Sequence, residues 1–142
     1  MVTTMSWTAP AAVMTDYASD WDGVWMLVYA AGRAAYTLAA VPGADDDLGL
    51  TYAALDLSRT LTELELRVVD FTDTGVAVDL GPVDLAGRVR AVQVIDDLLA
   101  AADALTTKLA SGPGARTAVV LCAARVAVLL ASARAKATGG GW

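Results

Sequence analysis

Histidine and asparagine are absent from this chain, and cysteine and phenylalanine occur once each. Without histidine the chain lacks the commonest general base, the commonest transition-metal ligand and the usual switch between pH 5 and 8. His-containing di-iron centres of the ferritin kind are excluded with it. The single Cys122 cannot build a disulfide framework, and its place in an apolar run reads as a small buried hydrophobe. Nucleophilic triads have no support, because neither Cys122 nor any serine has a histidine to activate it and no G-x-S-x-G occurs. Phosphate-cradling loops are missing as well; the Gly112-Pro113-Gly114 and Gly139–Gly141 stretches are chain breaks. No catalytic residue, cofactor site or metal site is expected, and the chain reads as a non-enzyme.

Charge is sparse too. Charged residues make up 18% of 142 positions, hydrophobic residues 56%, and mean hydropathy is +0.52. Ordinary soluble domains carry about 25% charge. A domain of this size has much surface to cover, so this composition expects apolar surface to be hidden in an oligomer, a partner or a membrane. A monomer with an alanine-rich exterior is the alternative. Net charge is −6, with six Asp against Arg33 alone in residues 1–50, and Arg116, Arg125, Arg134 and Lys136 without an acid in residues 113–142. An acidic front and a basic tail suggest mutual pairing, within a subunit or between neighbours. No basic cluster is dense enough to neutralise several phosphates, which argues against nucleic acid. Arginine over lysine, aspartate over glutamate and abundant alanine fit coding in a GC-rich genome. The opening residues carry neither a basic n-region nor an apolar h-region, so the expected location is cytoplasmic, or an assembly built there.

What the chain does have is an aromatic concentration. Seven of its nine aromatics fall within the first 52 residues. Tyr17, Trp21, Trp25 and Tyr29 recur at i, i+4, which on a helix stacks them along one stripe. Such a stripe suits a bundle core, a subunit contact or the wall of an apolar pocket. Trp7 and Trp142, near the two ends, suit anchors inserted into a neighbour. These six residues, Trp7, Tyr17, Trp21, Trp25, Tyr29 and Trp142, are the candidate interface.

Periodicity predicts an all-α chain: an extended arm over 1–14, one helical-bundle domain over 15–137 and a glycine-rich tail over 138–142. The first helix is expected over 16–40, capped by Thr15 or Asp16 and ended by Val41-Pro42-Gly43. Gly32 with Ala31, Ala34 and Ala35 would let another helix approach closely. The second follows Asp45, Asp46 and Asp47 and carries a seam of Leu50, Ala54, Leu57, Leu61, Leu64, Val68 and Phe71, with Glu63 and Arg67 as an i, i+4 pair. It should reach about Asp70, with a short hairpin over 66–80 as the alternative. The third starts near Pro82 and packs through Ile95, Leu98, Ala102, Leu105 and Leu109.

The fourth, over 115–137, is apolar nearly all round, as in a central or membrane helix. Arg125 at its middle argues against lipid. Arg116, Arg125 and Arg134 recur every nine residues, about 900° around a helix, so successive guanidinium groups point to opposite sides. Neighbours on several sides are expected. Short loops make an antiparallel up-down four-helix bundle the expected architecture. Asp45–Asp47 read as a helix-opening acidic cap and Asp96, Asp97 and Asp103 as a solvated face, not as cation sites. The expected function is that of a non-enzymatic structural or interaction protein: a helical subunit of a homo- or hetero-oligomeric assembly of virion, shell or secretion-apparatus type, homo-oligomeric by first choice. A bundle holding an apolar small molecule between helices one and four, and a membrane-associated helical protein, are the alternatives.

Overall fold

A computed structural model describes residues 20–40, 48–67, 88–112 and 116–138. Four helices account for nearly all of them: α1 (Trp21–Ala39), α2 (Leu48–Arg67), α3 (Arg88–Ala110) and α4 (Thr117–Thr138). The all-α four-helix bundle predicted from periodicity is what forms, and no strand occurs among the described residues. The arm over 1–14, the run Asp45–Asp47, Val68 and Phe71 of the seam, and Trp7, Tyr17 and Trp142 lie outside the described residues.

The start of α1 departs from expectation. Asp20, not Thr15 or Asp16, is the N-cap: its backbone is extended (φ −142°, ψ −170°) and its Oδ1 accepts from the Gly23 N–H at 3.0 Å. An aspartate carboxylate at that place satisfies one of the orphan amides of the first turn and opposes the positive end of the dipole. Of the predicted aromatic ladder, Trp21, Trp25 and Tyr29 are the rungs among the described residues. At the other end the Ala40 N–H donates to the carbonyls of Tyr36 and Thr37, two residues before Pro42 disfavours a further turn. The α2 helix runs to Arg67, so the first two residues of the alternative hairpin are helical, and its remainder falls in 68–80, outside the described residues. Thr138, placed in the tail by the sequence, still belongs to α4.

Each seam residue predicted on the described stretches is buried or half-buried. Leu50, Leu57 and Leu64 of α2, and Ile95, Leu98, Ala102 and Leu105 of α3, are in the core, with Ala54, Leu61 and Leu109 packed against it. From α1 come Val24, Leu27, Val28, Ala31, Ala35 and Leu38; from α4 come Cys122, Val126, Leu130 and Ala133. Gly32 sits directly over Leu57, where an added Cβ would meet the Leu57 Cβ at 3.4 Å. That is the close helix approach its lack of a side chain suggested. Two core threonines, Thr60 and Thr106, return their hydroxyls to the carbonyls of Asp56 and Ala102, four residues back, at 2.8 and 2.7 Å. Back-bonding of this kind keeps a buried hydroxyl satisfied inside a helix.

The order around the bundle is α1–α2–α4–α3. Packed pairs are α1 with α2, α1 with α3, α2 with α4 and α3 with α4; α1 and α4 face each other across one diagonal, α2 and α3 across the other. Directions follow from cross-links. The α1 start meets the α2 end through Trp25 and Glu65, and α4 pairs residue 125 with 63 and residue 136 with 56 on α2. Arg134, late on α4, meets Asp96, early on α3. Every adjacent pair is therefore antiparallel, while the diagonal pairs are parallel. The four described helices therefore run up, down, down and up. Apolar periodicity sets which face of a helix is buried; it carries no label for the neighbour.

Candidate functional site

Three places in the bundle hold unusual side chains: a polar seam between α2 and α4, an aromatic groove between α1 and α2, and the outward face of α4.

The polar seam centres on Asp56. This carboxylate is buried, yet its Oδ2 accepts from both Ser132 Oγ at 2.7 Å and Lys136 Nζ at 2.8 Å. Ser132 and Lys136 are one turn apart on α4, so both reach the same oxygen from one face. Two turns along, Glu63 accepts from Arg125 at 3.3 Å, and the Cys122 thiol lies 3.8 Å from the Glu63 carbonyl. On the opposite flank of α4, Arg134 Nε donates to Asp96 Oδ1 at 2.8 Å and a second nitrogen reaches Oδ2 at 3.4 Å. The hydrogen bond to Asp96 raises the Arg134 pKa above its already high value; burial opposes the rise, and the charges of Asp96, Asp103 and Asp97 add to it. The half-turn offset between Arg125 and Arg134 seen in the sequence thus becomes one ion pair to α2 and one to α3.

Three residues of the basic tail, Arg125, Arg134 and Lys136, pair with Glu63, Asp96 and Asp56 in the middle of the chain. Asp56 was not singled out by sequence reasoning. One aspartate beside an apolar stripe looks solvated, and its two donors lie 76 and 80 residues away. These contacts are those of a structural clasp: all are internal, no buried polar side-chain atom in the described residues lacks a partner, and no metal-holding cluster of acids or cysteine is found among them.

The aromatic groove is an open depression of about 330 Å3 between α1 and α2. Its α1 wall is Tyr29, Arg33 and Tyr36, at i, i+4 and i+7, which places the three residues on one face of the helix. Its α2 wall is Thr51, Ala54, Leu55, Ser58 and Leu61, a stripe of methyl groups with two hydroxyls. Gly32 and Leu57 form the floor, where α1 and α2 approach most closely. Tyr29 is held in place. Its ring stacks on Trp25 with centroids 5.0 Å apart and planes 15° from parallel, and the Trp25 indole Nε1 donates to Glu65 Oε1 at 3.0 Å. The candidate interface residues Trp21, Trp25 and Tyr29 are therefore half-buried at the edge of the core, on the α2 side, with Trp25 and Tyr29 brought together. Tyr36 and Leu55, absent from that candidate set, contribute the most open apolar surface here, at 64% and 53% exposure. The signal for Tyr36 was available: it extends the Tyr29 face by two turns.

The α4 face is the third feature. Thr117–Thr138 has a window of 18 residues with mean hydropathy 1.9, of which 28% is buried. By length and composition this helix matches a membrane span. It packs chiefly on α2 on one side and α3 on the other, so the expected neighbours on more than one side are there, but it is not the enclosed central helix its composition suggested. Val120, Leu121, Ala124, Val128 and Ala131 point outward along one stripe, with Leu121 59% and Val128 69% exposed.

Comparison with protein-family models, with curated proteins and with solved structures found no match to this chain.

Proposed function

We propose that this protein is a non-enzymatic helical subunit that associates with further copies of itself, with the outward face of α4 as the contact. The observation that supports it is the α4 stripe Leu121, Ala124, Val128 and Ala131: apolar, continuous over three turns, and uncovered by any described element. Exposed apolar stripes on a small domain mark an interaction surface. Insertion into lipid is disfavoured by Arg125 and Arg134, whose guanidinium groups sit mid-helix and late in the helix and are tied to Glu63 and Asp96 of neighbouring helices. Pulling α4 away would break both pairs.

Native mass spectrometry and sedimentation velocity on the full-length chain test this. A discrete multiple of 14.6 kDa is expected, returning to 14.6 kDa in a Leu121→Glu, Val128→Glu variant with unchanged helical circular dichroism. A wild-type chain that stays at 14.6 kDa throughout the micromolar range, or that pellets with lipid vesicles, sinks the proposal.

A second reading is favoured by the groove: a bundle that holds an apolar small molecule. Its place would be between α1 and α2, because α1 and α4 lie across the diagonal from each other.

A further inference from the structure

We infer that the α1–α2 groove takes a flat apolar molecule bearing one anionic group, with the ring or hydrocarbon body against Tyr29 and the anion at Arg33; this rests on the small-molecule reading of the groove and specifies its ligand class. Three observations carry it.

The first is shape with stiffness. A volume of about 330 Å3 is that of a small-ligand site. The Tyr29 ring that forms its wall is clamped before any ligand arrives, by stacking on Trp25 and through Trp25 to Glu65. A pre-oriented ring offers a face for stacking without the entropy cost of ordering it on binding.

The second is the chemistry of the opposite wall. Ala54 and Leu61 present carbon, and Gly32 leaves the floor thin, so a planar body meets apolar surface on both sides. Ser58 and Thr51 supply hydroxyls at the edge, where a ligand's polar end would be solvated.

The third is charge. Arg33 is the one charged side chain among the residues lining the groove. It lies between Tyr29 and Tyr36 on the same helical face, within reach of a ligand stacked on either ring. Arg33 already engages in another interaction, and a guanidinium with five N–H donors serves more than one acceptor. Its planar fork matches carboxylate, sulfonate or phosphate oxygens. A cation is disfavoured at this place by Arg33 itself.

Two fluorescent probes of similar size separate the possibilities: the anionic 1-anilinonaphthalene-8-sulfonate and the neutral N-phenyl-1-naphthylamine, titrated into the full-length chain. Saturable binding of both is expected, with the anion held more tightly. Arg33→Met should weaken the sulfonate by about fivefold or more and leave the neutral probe within about twofold. Ser58→Trp, a bulky ring at an exposed position in the groove wall, should abolish both, and Tyr36→Ala should weaken both. Neutral and anionic probes bound equally, with Arg33→Met changing neither, would overturn the anion assignment and leave the apolar-ligand reading standing. Failure of both probes to saturate would overturn the two together. Loss of binding in Leu121→Glu, Val128→Glu with retention in Ser58→Trp would move the site to α4 and overturn the inference.

Discussion

Lys136 Nζ stands 2.8 Å from Asp56 Oδ2, across the α2–α4 contact, with the carboxylate side chain only 8% exposed. Ser132 donates to the same oxygen, so one buried charge is met by one charge and one hydroxyl. Burying a carboxylate is costly unless such partners replace the hydration it loses. Lys136→Met removes the charge and leaves Ser132 as the remaining donor on that oxygen. A loss of about 1–3 kcal/mol is expected, below the full cost of breaking a deeply buried pair because Lys136 is itself part-exposed. Asp56→Asn should cost less, since the amide oxygen still accepts from Ser132. Urea unfolding of both single variants and the double variant gives the coupling. Strictly additive losses would show that the pair does not hold α2 to α4.

Arg134 and Arg125 make a contrast on the same helix. Arg134 meets Asp96 through two nitrogens in a half-covered site, whereas the Arg125 side chain is 60% exposed. Exposed pairs contribute roughly 0–1 kcal/mol and are screened by salt. Arg134→Met should therefore destabilise more than Arg125→Met, and 1 M NaCl should shrink the Arg125 effect further. The pH dependence has a definite sign. A guanidinium pKa raised by folding gives a contribution that is complete below the unfolded value and fades only as pH climbs past the folded one, far above the neutral range. The difference between wild type and Arg134→Met should be flat from pH 7 to 10 by thermal denaturation. A slope in that interval would contradict the assigned pairing.

Gly32 offers a stabilising change. It lies within α1, where glycine costs about 1 kcal/mol relative to alanine, and an added Cβ would rest at 3.4 and 3.9 Å from Leu57 carbons, ordinary van der Waals contact. Gly32→Ala is expected to gain about 0.5–1 kcal/mol and raise Tm by about 1–4 °C. A lowered Tm would mean that α1 and α2 cannot accept even one methyl group at their closest approach.

The seams of α2 and α3 were legible because leucine and alanine recur there in steps of three and four, and burial follows that spacing. The arginine offset on α4 was legible for the same geometric reason. The cap of α1 was misplaced because Thr15, Asp16 and Asp20 are all competent caps, and local chemistry does not rank them. The position of α4 was misjudged since an alanine- and valine-rich helix reads alike whether enclosed or simply uncovered on one side. Asp56, its partners and the α1–α2–α4–α3 order all depend on pairings between segments far apart in the chain. No local pattern in a single sequence encodes them.

Trp25 links the core edge to the groove, and its contacts with Tyr29 and with Glu65 can be separated. Trp25→Phe keeps an aromatic face against Tyr29 and loses the hydrogen bond to Glu65. An exposed neutral-to-charged hydrogen bond is a modest stabiliser, so a loss of about 0.5–1 kcal/mol is expected. Trp25→Ala also removes the stacking partner and the apolar area of the indole, at a cost of about 2–4 kcal/mol for this half-buried ring. Near-ultraviolet circular dichroism reads the consequence for Tyr29. Its tyrosine band should survive in Trp25→Phe and collapse in Trp25→Ala, because the ring is oriented by its neighbour's face and not by a contact of its own hydroxyl. A tyrosine band that persists in the alanine variant would place the orientation of Tyr29 in the α2 wall, and the pre-set aromatic face of the groove would then be independent of Trp25.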